Sequence, residues 1–307
     1  HSIIEARIPF EMVNDRLLDH DHLNQFKLLL LPNIATLSDQ QCDQMRKFVE
    51  NGGSLVATFE TSLYDENGRR RSDFGLADMF GVSYDEGVEG PMQNSYLRLK
   101  KDPATGQFHP VLEGLHDAFR IINTIHRVKV KPLKEFPQPV TLIPSYPDLP
   151  MEHVYPRSPD TDIRELYLCD NGKGRVAYFP NDIDRSFWQV MCADHGRLLN
   201  NTISWALNEE PVVEVKGPGV LDVTVWRQER SMTVHLVNLT NPMMMKGPIR
   251  ELIPVSAQVK IKIPPDVKPV KVKLLICGTE VPVNLQKDKV VLTIPQILDH
   301  EIVGIDL

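Results

Sequence analysis

The apolar positions divide the chain into two textures. Up to about residue 208, unbroken apolar runs alternate with stretches of helical period. From Pro211 onward, short alternating runs separated by turn residues take over. "KLLLLPN" (27–33) is a continuous apolar run, the mark of a strand buried on both faces of a parallel sheet. In "TLSDQQCDQMRKFVENGG", Ser38 and Gln41 have capping-box spacing. Cys42, Met45 and Val49 follow at helical intervals with Phe48 beside them, and Gly52-Gly53 ends the helix. "SLVATF" (54–59) is a second buried strand, so this strand–helix–strand unit predicts a parallel pair with a right-handed crossover.

Other elements are shorter. Residues 2–7 read as the tail of a helix, "FEMV" (10–13) as a short strand, and "DHDHLNQF" as a helical turn or two. Asn67-Gly68 marks a turn, "LADMFG" a short helix closed by Gly81, and "SYLRLK" a strand at a sheet edge. Residues 119–132 and 139–145 are strand-like. "RELYLCDNGKGRVAYFPND" predicts a hairpin about Asn171-Gly172. One long amphipathic helix is expected from "DRSFWQVMCADHGRLLNNTISWALNEE", capped by Asp184 or Ser186. Beyond the boundary near 208–212, "VLDVTVWRQERSMTVHLVNLT", "AQVKIKIPP", "VKVKLLICG", "KVVLTIP" and "HEIVGIDL" space out as a β-sandwich. The expected domains are therefore 1–210, α/β, and 211–307, all-β.

Composition narrows the function classes. A length of 307 residues suits two domains, and 24% charged residues with 42% hydrophobic is ordinary globular usage. A net charge of −7 argues against nucleic acid or an anionic membrane as partner. No run of about 18 apolar residues is present. The 4 cysteines are widely spaced without a CxxC pair, which favours a reducing, cytoplasmic compartment over a disulfide scaffold. No HxH, HExxH or phosphate loop occurs, so no metal or cofactor is expected. The start at His1-Ser2, without methionine or a visible leader, reads as a piece of something longer.

The segment "FKLLLLPNIATLSDQQCDQMRKFVENGGSLVATFETSLYDENGRRRSDFGLADMFGV" resembles the amidotransferase-like domain of multidomain glycoside hydrolases. It is similar to the trimerisation domain of barrel-type β-galactosidases, and closer to putative glycosyl hydrolases of unassigned substrate. "GRVAYFPNDIDRSFWQVMCADHGRLLNNTISWAL" fits the end of that domain, and the sandwich with "VHLVNLTNP" resembles the C-terminal β domain of the same enzymes. The resemblance implies a flavodoxin-like, class I amidotransferase-like parallel sheet with helices on both faces, followed by an antiparallel sandwich. It also implies a (β/α)8 barrel elsewhere in a parent protein, since a barrel alone takes about 250 residues. The family domain opens with a central strand that this chain lacks. Another segment or chain is expected to fill that slot, or the sheet to be rearranged.

Candidate chemistry is weighed against simpler roles. Class I amidotransferases carry a cysteine where "LVATF" ends. Glu60, Thr61 and Ser62 stand there instead, so glutamine hydrolysis is not expected. Glu60, at the carboxyl end of a parallel strand, is the best single candidate to complete a sugar pocket, though pairing with a helix N-terminus or a nearby arginine explains it more simply. Asp182, Asp184 and Arg185 offer two carboxylates for acid–base work, though helix capping explains them more simply. Cys192, Asp194 and His195 offer a Cys-His couple whose helical spacing points Asp194 elsewhere. Trp188, Trp205 and the Met243–Met245 loop are candidate contact surfaces.

The reading is a non-catalytic portion of a glycoside-hydrolase-like protein that serves homo-oligomerisation, docks on a catalytic barrel and completes a sugar pocket. Two alternatives stand beside it. A stand-alone carbohydrate-binding module needs exposed aromatics from a chain with only 7% of them. An independent hydrolase would act through Glu60 or Cys192/His195.

Overall fold

The computed structural model describes residues 1–242, 251–265 and 267–307, and it divides into two compact units, Val13–Asn208 and His1–Met12 with Glu209–Leu307.

In the first unit the strands Leu28–Leu31, Ser54–Thr58, Gly174–Phe179 and Tyr167–Asn171 form one sheet in that order. The first three run parallel and the fourth returns antiparallel as the expected hairpin. Every residue of Ser54–Thr58 is buried, and alternate side chains serve opposite layers. Leu55 and Ala57 join Cys42, Met45, Phe48 and Val49 of the helix Asp39–Glu50. Val56 joins Leu198, Leu199 and Ala206 of the helix Ala193–Leu207. Both halves of the Ser38–Gln41 capping box are formed. A Cβ on Gly174 would fall 1.8 Å from the Gly53 carbonyl oxygen, so only glycine lets the hairpin pass the end of that helix.

Parallel character stops at those three strands, and the rest of the unit is antiparallel. Val82–Glu89 pairs with Arg127–Pro132, and Tyr96–Leu99 lies between Arg120–Ile122 and Val140–Ile143. The "SYLRLK" strand is therefore central rather than at an edge. Leu97 and Leu99 bury against Ile121 and Val140 from neighbours on either side.

Two other expectations are corrected. Residues 10–13 form no strand. Phe10 and Met12 are exposed, and no strand pairing among the described residues includes the segment. The long helix after Asp182 is two helices, Ile183–Val190 and Ala193–Leu207, separated by Met191 at φ +53°. A Cβ on Gly196 would meet the Phe187 ring at 2.8 Å. That close packing of residues nine positions apart requires the break, since a straight helix would hold them about 13 Å apart.

The second unit carries two antiparallel sheets. One orders Val213–Lys216, Val255–Lys262, Lys289–Ile297 and Leu285–Gln286; the other orders Leu221–Arg227, Ser231–Asn238, His300–Asp306, Lys271–Leu274 and Glu280–Val281. Buried positions alternate along strands such as Ser231–Asn238 and Val255–Lys262 and join one apolar core, mostly Val, Ile and Leu. Residues 1–12, which the sequence assigns to the α/β domain, group with this unit. Arg7 anchors them, donating to the carbonyl oxygens of Val215, Gly217, Pro218 and Gly219 at 2.6–3.2 Å. The Met243–Met245 loop lies outside the described residues.

Candidate functional site

Three apolar runs end in polar residues at the carboxyl edge of the parallel strands: Leu31 leads to Asn33, Thr58 to Glu60, and Phe179 to Asn181–Asp184. The edge of a parallel sheet is where α/β proteins place ligands. Phe59 turns the chain there at φ +52°, its N–H bonded to the Phe179 carbonyl and its own carbonyl accepting from the Tyr178 hydroxyl at 2.6 Å.

The elbow residues take different roles. Thr61 and Ser62 are fully buried. The Thr61 hydroxyl bonds to the carbonyls of Thr58 and Leu31 at 2.7 and 3.1 Å. Ser62 Oγ accepts from the Leu76 N–H at 3.1 Å. Both hydroxyls hold backbone in place and neither is presented to a substrate. Ser62→Ala should cost about 1 kcal/mol of stability through the Leu76 N–H left without its acceptor, measurable by urea denaturation. Glu60 alone of the three reaches the surface, half-buried, with its carboxylate accepting from the Tyr64 hydroxyl at 3.2 Å.

A short hydrogen-bond chain links Glu60 to a second carboxylate. The Glu60 N–H donates to Asn33 Oδ1 at 3.2 Å, and the Asn33 N–H donates to Thr58 Oγ1 at 2.8 Å. The Thr58 side chain in turn bonds to Asp184. Burial pushes the Asp184 carboxyl up from its ordinary range, against the pull of those hydrogen bonds, and its Oδ1 is buried without a partner. The sign follows: an aspartate raised in the folded state binds its proton more tightly than in the unfolded chain, so its contribution to stability falls as pH rises through the ordinary aspartate range. Asp184→Asn should therefore be more stable than the wild type at pH 7, with the gain gone at pH 3, as read by thermal unfolding at the two pH values.

Asp182 and Arg185 are structural partners. Asp182 sits at the N-cap position but its side chain does not cap the helix. Its Oδ1 accepts instead from the N–H groups of Ile125 and His126 at 3.1 and 2.8 Å and from the Ser186 hydroxyl at 3.3 Å, while Arg185 pairs with Oδ2. The Cys192–His195 couple is not assembled. Cys192 is the N-cap of its helix, and His195 Nε2 bonds to the Ile122 carbonyl at 2.8 Å. Burial lowers the pKa of that imidazole, which keeps it neutral at pH 7. Asp194 stands half-buried in the first helical turn. Trp188 is exposed, and Trp205 is half-buried with its carbonyl bonded by Arg175.

The sequence reading passes over the buried centre beneath this edge. Arg127, 4% exposed, donates to Glu165 at 2.6 Å and Glu89 at 2.8 Å, and Asn181 holds the other Glu165 oxygen at 2.8 Å. Burial pushes Glu165 up, and the Arg127 guanidinium opposes that shift. Tyr167, buried next to it, is pushed up to about 12. Asn33, Thr58 and Asn181 were findable: each ends or follows an apolar run. Arg127 opens a strand and Glu165 lies in the bend before another, and no local pattern shows that the two meet. Among the described residues no group of three or more His, Cys, Asp or Glu could hold a metal ion, and no helix is long and apolar enough to cross a membrane.

Comparison with known proteins finds several similarities. Residues 2–112 match the β-galactosidase trimerisation domain. A β-galactosidase of Geobacillus sp. (strain Y412MC61) is 30% identical over 74 residues, 23% of this chain and 11% of that protein. Among solved structures, the α-L-fucosidase isoenzyme 2 of Paenibacillus thiaminolyticus aligns with 99% of the chain at a TM-score of 0.74 and 16% identity, and the chain covers 44% of it. The β-galactosidase of Bacillus circulans sp. alkalophilus aligns over 99% at a TM-score of 0.64 and 14% identity, with 36% of it covered. The structural likeness is one of fold, and the chain spans less than half the length of each of these relatives. The chain is thus similar to the β-galactosidase trimerisation domain over residues 2–112 and shares its fold, over nearly its whole length, with a part of these larger glycosidases.

Proposed function

We propose that this chain is a non-catalytic portion of a glycoside hydrolase, serving oligomer assembly and lending a wall to a sugar pocket formed with a (β/α)8 barrel of the same parent protein. The carrying observation is the trimerisation-domain match over residues 2–112, joined to an elbow whose two hydroxyls are spent on backbone. Glu60, the one elbow side chain that meets solvent, is the group that would face the sugar. Asp182, Arg185, Asp194 and His195 serve the fold in this reading. The α/β layer is read as a flavodoxin-like, amidotransferase-like sheet reduced to three parallel strands, without amidotransferase activity, in a cytoplasmic protein.

The sheet edge supports the assembly role. Among the described residues, Leu28–Leu31 pairs with a strand on one side only. The Ser54 N–H bonds to the Lys27 carbonyl at 2.9 Å, so by alternation Leu28 and Leu30 turn their backbone groups to the outer side. A bare four-leucine edge without charge, proline or bulge is a place for a strand to add. Amide exchange at Leu28 and Leu30 should be faster than at Leu29 and Leu31 and should slow on assembly. Native mass spectrometry is the test: species at multiples of 34.9 kDa are expected, and a monomer at every concentration up to 100-fold above the first detectable would overturn the assembly role.

A further inference from the structure

A second polar site lies in the antiparallel part of the first unit, away from the Glu60 edge. It is a cavity of about 820 Å³ whose lining includes Lys100, Lys101, Phe108, Glu135, Gln138 and Arg164. Arg164 is the unusual member. Its side chain is only 11% exposed, yet its best acceptors are weak: Nη2 reaches Glu135 Oε2 and the Phe136 carbonyl, each at 3.4 Å. Its Nε is buried without a partner. The Glu135 side chain is fully exposed, so it is a solvated and easily displaced counter-ion. Arg127 shows how this same fold satisfies a buried guanidinium, with two carboxylates at 2.6 and 2.8 Å. Leaving a buried charge under-bonded is costly unless a further acceptor arrives.

The surrounding charges favour an anion. Lys101 places its ammonium 5.3 Å from the Phe108 ring centre and makes no ion pair among the described residues. Lys100 is held by Asp160 at 2.6 Å and the Thr161 carbonyl at 3.0 Å, which fixes a third cation on the same wall. Two acids also line the cavity, and Asp160 pairs with Lys100. Asp102 spends its Oδ1 on the N–H groups of Ala104 and Thr105, and Glu135 points to water. Three cations thus share a cavity large enough for a monosaccharide-sized molecule, in a chain whose net charge is −7.

We propose that this cavity binds a small molecule bearing an oxyanion, a carboxylate or a phosphate, with the Arg164 guanidinium as its fork and Lys101 as its second contact. The site is separate from the proposed sugar wall, and its occupancy does not depend on that reading. The test is titration of the full chain with sodium D-galacturonate, with inorganic phosphate and with neutral D-galactose, at constant ionic strength, followed by calorimetry and by backbone amide shifts at residues 100–108 and 135–139. Saturable binding of galacturonate or phosphate is expected, with no response to galactose. Affinity should fall at least 10-fold in Arg164→Gln and several-fold in Lys101→Gln, and stay unchanged in Arg70→Gln, which does not line the cavity. Response to galacturonate alone assigns a carboxylate, and response to phosphate alone a phosphate. Lys101→Gln, at an exposed position, keeps the test open if Arg164→Gln does not fold. No saturable shift with either anion, or equal affinity in wild type and Lys101→Gln, would overturn the proposal.

Discussion

Replacing Glu165 with alanine is expected to remove about 3–5 kcal/mol of unfolding free energy at pH 7. The carboxylate is fully buried and answers a guanidinium that is itself almost wholly enclosed. Its loss leaves Arg127 with Glu89, whose side chain is 44% exposed and already shared with solvent. Asn181, which donates to Glu165 Oε2, loses an acceptor at the same stroke. Removing both charges together, as Arg127→Met with Glu165→Leu, should recover most of the loss, because the penalty is that of one stranded charge. Urea denaturation of the two variants decides it. A single-variant loss below about 1 kcal/mol would mean that the pair is hydrated in solution.

Asp182→Ala is expected to cost about 2–3 kcal/mol, because the His126 N–H loses its acceptor and the Ile125 N–H keeps only the Ser186 hydroxyl, at 3.2 Å. Asp182→Asn keeps an oxygen acceptor and should lose about 1 kcal/mol, mainly the pairing with Arg185. Hydrogen exchange at Ile125 and His126 is the local readout: both amides should exchange faster in Asp182→Ala than in Asp182→Asn. Equal exchange in the two variants would contradict the role given to Oδ1.

The two variants bear on what a sequence can disclose. The Ser38–Glu50 helix, the strand after it and the Asn171-Gly172 hairpin were legible because capping, period and turn chemistry all act within a few residues. The sandwich strands were legible through their two-residue alternation. The break at Met191 was not, since its cause is Phe187 against Gly196, a contact between two helices rather than a signal within one. "FEMV" has strand-like residues, but a strand exists only with a partner. Likewise "KLLLLPN" carries the composition of an interior strand and yet stands at an edge.

The site was legible in part. Glu60 could be placed from its position after an apolar run, and its surface exposure matches that placement. Asp182 drew notice as an acid beside a helix start. What it does, tying the 125–126 backbone to that helix, depends on a contact 56 residues away in the chain. Arg164 lies in a polar stretch with nothing to set it apart; only the cavity and its missing acceptor do so.

We propose that the corner at Phe59–Ser62 is a supporting structure with no reaction of its own. Turnover of a chromogenic β-galactoside by the purified chain, compared between wild type and Glu60→Ala, tests it most directly. Equal rates, both at the buffer background, are the expected result; saturable wild-type turnover that Glu60→Ala abolishes would contradict it.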